Sequence, residues 1–425
     1  MIYVLFYLMM LLIIMVLLKI VFQTIINPLN LFNFMWCIPA ALSNTGILGL
    51  TKPSSKTNII IILTILFFNV GFLCVSKYKF IYKSKSNLKY NLNMKKIIII
   101  NFFAWITFIP YTIKAIKIMN SKGFDYLRSI SFTPSHELVG STIELMYCQI
   151  IIAGIFTATI IMTAIDISLG KLNKCLFIIS GVDILLYSFT FAGRIFFFKA
   201  IIFGVLAIIV SKNMKFTIKK ISKTLKIIII VLLIGFLSYF TLNRGSEYLS
   251  VFESMYIYFV GPLPFFDSLL NNMRDINLMM GKATLGIITV PISILFSFIT
   301  GNEYNGADYL ITQVTATQFN IGNLYKFNAF STSSYVFIRD FGVIGIIIIP
   351  FILGIVAYRI YYNFNKNHTS MNYAFYLLML YLIVYSQLRY ELIFPVYAVI
   401  IVLIYIFTKE RRSNYGSNFS NNVKL

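Results

Sequence analysis

Residues 175–211 read CLFIISGVDILLYSFTFAGRIFFFKAIIFGVLAIIVS. Two apolar runs, 175–191 and 194–211, flank a turn too short to hold a domain, and each approaches the roughly 20 residues a helix needs to cross hydrocarbon. Only Asp183, Arg194 and Lys199 are charged within them. Runs of the same kind recur at 2–18, 32–50, 58–76, 97–113, 141–165, 227–242, 343–361, 373–387 and 391–408. The expected architecture is all-α: one polytopic integral membrane domain over residues 1–425, with about 11 transmembrane helices (range 10–12).

Composition agrees. The chain is 59% hydrophobic and 12% charged, with a mean hydropathy of +0.84, more apolar surface than a water-facing globule can bury. A net charge of +22 suggests nucleic acid in a soluble protein. Here the lysines cluster between apolar runs, where they set membrane orientation instead. Cys37, Cys74, Cys148 and Cys175 show no C-x-x-C spacing and read as small hydrophobes, with neither disulfide nor zinc site implied. Residues 2–18 lack a basic leader and an A-x-A site, and are expected to remain as a span.

Three intervening segments are strongly basic: 77–96 with seven lysines, 212–226 with six, and the tail 409–425 that begins Lys409 and includes Arg411 and Arg412. All three are expected in the cytoplasm. The spans between them are even in number, which leaves the C-terminus inside. Residues 243–342 then form one long extracytoplasmic segment, holding seven of the fourteen acids against five basic residues. Within it, 285–300 is apolar but interrupted by Pro291 and too short to cross, and is expected to be an interfacial or re-entrant helix.

Lysine and arginine part company in this topology. Six of nine arginines fall outside, namely Arg128, Arg194, Arg244, Arg274, Arg339 and Arg389. Arginine offers a rigid fork that grips phosphate or carboxylate through two hydrogen bonds. An anionic ligand at the outer leaflet would account for the surplus; ordinary pairing with outer acids, worth about 0–1 kcal/mol per exposed pair, is the plainer explanation. Arg194 and Arg244 stand where spans meet the outer surface and favour the ligand. Lys199 and Asp183, at similar depth in one hairpin, are expected to form an ion pair. His136 is a lone surface histidine and His368 faces the cytoplasm. No G-x-S-x-G, H-E-x-x-H or P-loop occurs, so chemistry must fall to arginines and carboxylates.

Two stretches resemble the Wzy family of O-antigen and capsule repeat-unit polymerases. The first runs from Ala192-Gly193-Arg194 through Asn243-Arg244-Gly245 and Glu253 to Tyr258-Phe259-Val260-Gly261-Pro262. The second is Tyr325 to Gly345, including Phe327-Asn328-Ala329-Phe330-Ser331-Thr332, Tyr335 and Arg339-Asp340-Phe341-Gly342. The paired Arg-x10-Gly motifs of some members are absent: Val205 stands eleven residues after Arg194 and Met255 after Arg244. The resemblance implies a metal-independent glycosyltransferase, without cofactor, that joins undecaprenyl-diphosphate-linked oligosaccharides at the outer face of the bacterial plasma (inner) membrane. It also implies a chain-length regulator protein as a further partner. Arg194, Arg244, Arg339 and Arg274 are the expected substrate-binding residues, and Asp340 and Glu253 the expected catalytic carboxylates.

A flippase of the same lipid-linked units overlaps in size, basicity and span number, but such transporters have short loops and charges buried within helices. A ligase that moves finished glycan to another acceptor would share the fold and the arginines.

Overall fold

The computed structural model describes residues 1–22, 27–76, 90–131, 137–213, 251–272, 278–302, 304–322, 325–328 and 330–409. The expected span 227–242, the residues Arg244, Arg274 and His136, and the tail beyond Lys409 lie outside the described residues. Over the rest the protein is all-α, apart from a two-residue hairpin, β1 (Phe319–Asn320) with β2 (Lys326–Phe327).

In chain order the helices are α1 (Ile2–Phe22), α2 (Pro28–Ser43), α3 (Ser55–Cys74), α4 (Met94–Lys122), α5 (Phe124–Ile130), α6 (Thr142–Ser168), α7 (Lys174–Thr190) and α8 (Ile195–Asn213). There follow α9 (Val251–Val260), α10 (Pro262–Asn272), α11 (Gly286–Thr300), α12 (Ala307–Ala316), α13 (Thr332–Lys366), α14 (Ser370–Ser386) and α15 (Val396–Thr408). Of these, α3, α4, α6 and α13 are long and apolar enough by themselves to cross a membrane.

Polar residues at the run ends decide where helices start. Asn27 accepts from the Asn30 amide at 2.8 Å with Pro28 at the first helical position, Asn173 caps α7, and Thr369 accepts from Asn372 at 3.2 Å. Ser54 and Thr57 at the start of α3 meet Asp267 of α10, whose Oδ1 accepts the Ser54 amide at 3.1 Å and the Thr57 hydroxyl at 2.5 Å. An acid of the long stretch thus serves a helix N-terminus, where unsatisfied amides favour a negative charge.

The helix most enclosed is α6, with 83% of its apolar window inside the protein; a π-turn at Tyr147–Ile152 interrupts it, and α4, α7, α8, α14 and α15 pack around it. A second unit joins α1, α2 and α3 to α13. Its seam is backbone against backbone: a Cβ on Gly71 would stand 2.0 Å from the Phe351 carbonyl oxygen, and one on Gly354 2.3 Å from that of Phe68. Small residues permit such approach where lipid supplies no hydrophobic drive between helices. Polar pairs join α2 to α3, since Asn33 and Asn69 exchange amide hydrogen bonds at 2.8 and 2.9 Å, as do Asn44 and Asn58 at 2.8 and 3.2 Å.

One helix is broken. In α13, Gly342 sits at φ 62°, ψ −145°, a region that only glycine enters readily, and separates a buried first segment from the long apolar remainder.

Candidate functional site

The break in α13 faces a loop that it holds in place. The amides of Met279 and Met280 donate to the carbonyls of Arg339 and Asp340 at 2.8 and 3.1 Å. The Asp340 carboxylate accepts from the Ala283 amide at 3.1 Å, the Thr284 amide at 2.5 Å and the Thr284 hydroxyl. Asp340 is 0% exposed with both oxygens occupied. These bonds favour a structural role for Asp340 over that of a catalytic base, whose lone pair would have to face the acceptor hydroxyl. Arg339 is half-buried, and its Nε has no partner among the described residues.

The same loop reaches the turn between α14 and α15, because the Tyr390 hydroxyl donates to the Thr284 carbonyl at 2.9 Å. This turn carries an ion pair with a buried carboxylate. Arg389 Nε is bonded to Glu391 Oε1, and the Tyr397 hydroxyl donates to Glu391 Oε2. Glu391 keeps 3% of its side-chain exposure, whereas Arg389 keeps 33%. The guanidinium lies 4.7 Å from the Phe394 ring centre and 5.9 Å from that of Phe330. Planar contact with carboxylate and rings fixes its orientation.

Arg389 lines a cavity of about 170 Å³ together with Thr312 and Thr315 of α12, Asn328, and Ser331 before α13. Since Nε is committed to Glu391, the two terminal nitrogens remain for whatever enters. Lys199 of α8 adds a second cation: it is 7% exposed, donates to Thr157 of α6 at 3.1 Å, and lies within electrostatic reach of Arg389 and Glu391. Lys199 is not part of the cavity lining, and the cation that opens onto it is Arg389.

The expected Lys199–Asp183 pair does not form. Asp183 instead accepts from the Trp105 indole at 2.7 Å, while Lys199 turns to Thr157. Depth along a hairpin does not fix which face a side chain occupies, and α4 and α6 supply partners that the hairpin reading left out.

Arg194 is half-buried immediately before α8, about 7.5 Å of helix rise from Lys199. Against the preceding turn, Arg128 donates to the Phe191 carbonyl at 3.1 Å. Glu253 is half-buried in the first turn of α9. Three acids of the long stretch have structural partners: Asp267 caps α3, Asp340 binds 283–284, and Asp308 takes the Tyr304 hydroxyl. Sequence reading named Arg389 among the outer arginines but overlooked Glu391. The available signal was an Arg-x-Glu spacing between two apolar runs, with Glu391 the sole acid between residues 341 and 409.

No family model, curated protein or solved structure matches this chain.

Proposed function

We propose that the protein crosses the bacterial plasma membrane about eleven times, with its C-terminus in the cytoplasm, and polymerises undecaprenyl-diphosphate-linked oligosaccharide repeat units into O-antigen or capsule at the outer face. The observation that carries this reading is Arg389, aligned by a buried carboxylate and opening onto a largely apolar cavity in which Thr312, Thr315, Ser331 and Asn328 are the further polar residues beside Tyr390. In the reaction, an acceptor sugar hydroxyl attacks the anomeric carbon of a second unit. The glycosidic bond to the lipid diphosphate breaks and the diphosphate leaves with the bonding pair. Arg389 takes the developing charge, with Lys199 adding to the local positive potential. Glu253 is the carboxylate assigned to receive the acceptor's proton. Arg194, and Arg244, Arg339 and Arg274 with it, belong to the binding of further phosphate or acidic sugar. No metal enters this scheme, so polymerisation by purified protein is expected to proceed in excess EDTA.

The deciding experiment is the length distribution of surface glycan. A deletion strain should display single repeats, and an Arg389→Lys strain the same at normal protein level, because lysine keeps the charge but loses the fork. Wild-type glycan length in Arg389→Lys overturns the assignment.

The flippase reading has its own support: Lys199 and Asp183 are charged-type residues enclosed within apolar helices. Complete loss of surface glycan in the deletion strain, rather than single repeats, would select it.

A further inference from the structure

The helix α11 bears no charged residue, and its two faces differ. Ile288, Ile292, Leu295, Phe296 and Ile299 recur at helical spacing along one side, 58% to 80% exposed, with Leu285 just before the helix and Phe298, 73% exposed, on its flank. On the other side Gly286 and Val290 are buried. The hydroxyls of Ser293 and Ser297, and that of Thr289 on the apolar side, donate to backbone carbonyls at 2.9, 2.6 and 2.6 Å, so each has a partner within the chain.

Length and ends restrict the placement. Fifteen residues rise about 22 Å, short of the ~30 Å of hydrocarbon. Polar residues stand at both ends: Lys282 and Thr284 before, Asn302 and Asn305 after. A re-entrant tip would sink Gly301-Asn302 into the bilayer core and strand their backbone groups. Both ends therefore belong at one level.

Acyl chains are the occupant that the surroundings specify. The segment leading into α11 sits against the break in α13, where a Cβ on Gly281 would stand 3.0 Å from the Phe341 ring. Directly beyond the break, Val343 and Ile344 are 70% and 61% exposed at the head of a helix apolar enough to span. The segment leading into α11 thus starts beside that apolar surface.

We propose that α11 is an in-plane interfacial helix, its exposed apolar face sunk among the acyl chains of one leaflet, and that it holds the Arg389 cavity at head-group depth. The coupling is direct, because Thr284 receives Tyr390, Gly286 is seated against the Ile393 backbone, and the chain leaving α11 returns as α12 to wall the cavity. The cavity then takes the phosphate-bearing head of a lipid from the bilayer itself. This last step rests on the reading of Arg389 as an anion grip; the placement of α11 does not.

The test is depth measurement on the full chain in phosphatidylcholine–phosphatidylglycerol vesicles. Nitroxides are placed singly at 288, 292, 295 and 299, and at 293 and 297, in a version lacking the four native cysteines. The first set should be open to oxygen and closed to a nickel chelate, about 5–10 Å below the phosphates. The second set should be shallower, giving a 3.6-residue period. Chelate access throughout, exclusion of both reagents, or steadily increasing depth towards residue 300 each overturns the proposal. Should the cysteine-free chain not accumulate, photo-crosslinking residues at 292 and 295 in the native chain give the same decision: phospholipid adducts support it, protein adducts or none refute it. Glycan length is not read in either arm, so failure of the polymerase reading shows separately.

Discussion

Arg389 and Glu391 stand two residues apart in one turn and form an ion pair whose carboxylate is almost wholly enclosed, with the Tyr397 hydroxyl on its second oxygen. The pair orients a guanidinium that only part of its surroundings desolvates. Removing one partner leaves an uncompensated charge, and the partial exposure of Arg389 discounts the usual penalty to about 2 kcal/mol. Glu391→Gln should lower thermal stability in detergent by that order, and Arg389→Met added to it should recover part of the loss. A double variant less stable than the sum of the singles contradicts the pairing.

Asp340→Asn puts an amide nitrogen where a carboxylate oxygen now receives the backbone of Ala283 and Thr284. About 1–3 kcal/mol should be lost. Protein abundance is expected to fall while glycan length per surviving molecule stays normal. Normal abundance with short glycan would return Asp340 to the chemistry.

The reciprocal amides of Asn33 and Asn69 should show coupling in a double-mutant cycle. Asn33→Leu alone leaves the partner amide unmatched and should cost about 1 kcal/mol, most of it absent when Asn69→Leu is added. Additive losses would show that the pair contributes nothing jointly.

Gly71→Ala and Gly354→Ala each drive a methyl group into backbone of the facing helix. Overpacking of this kind costs about 1–3 kcal/mol or more, because main chain cannot rotate aside as a side chain can. Both variants should lose folded yield, measured by size-exclusion profile, whereas Gly181→Ala, whose added Cβ meets nothing within 4 Å, should not.

His368 lies between α13 and α14, edge-on to the Phe364 ring at 5.4 Å. Burial pushes its pKa below the ordinary value, with a hydrogen bond to the Phe364 backbone partly opposing. The depressed value means the unfolded chain binds the proton more readily. The contribution of His368 to stability is therefore complete above the unfolded value near 6.5 and declines as pH falls through the folded one. Melting temperature should drop between pH 7.5 and pH 5, and His368→Gln should flatten that drop. An identical pH slope in the variant argues against it.

The sequence by itself determined that the fold is all-α and where several of its apolar helices lie, though not the helices at 124–130, 251–260, 262–272 and 307–316. Spans expected at 58–76, 141–165 and 175–191 coincide with α3, α6 and α7, because an apolar run must satisfy its own backbone in lipid, and the helix does so locally. Asn27, Asn173 and Thr369 mark starts for the same local reason. The helix over 285–300 was legible too, although its plane was not.

Partners were decided only by the tertiary structure. The assignment of Lys199 to Thr157 rather than Asp183, the enclosure of Asp340 by residues 283–284, and the joining of Arg389, Glu391 and Tyr397 all depend on which parts of the chain the packing brings together. A run apolar on every side carries almost no periodic signal to say which face turns inward. Its few polar residues take whichever partner the packing brings within hydrogen-bonding distance, and that packing is a property of the whole chain.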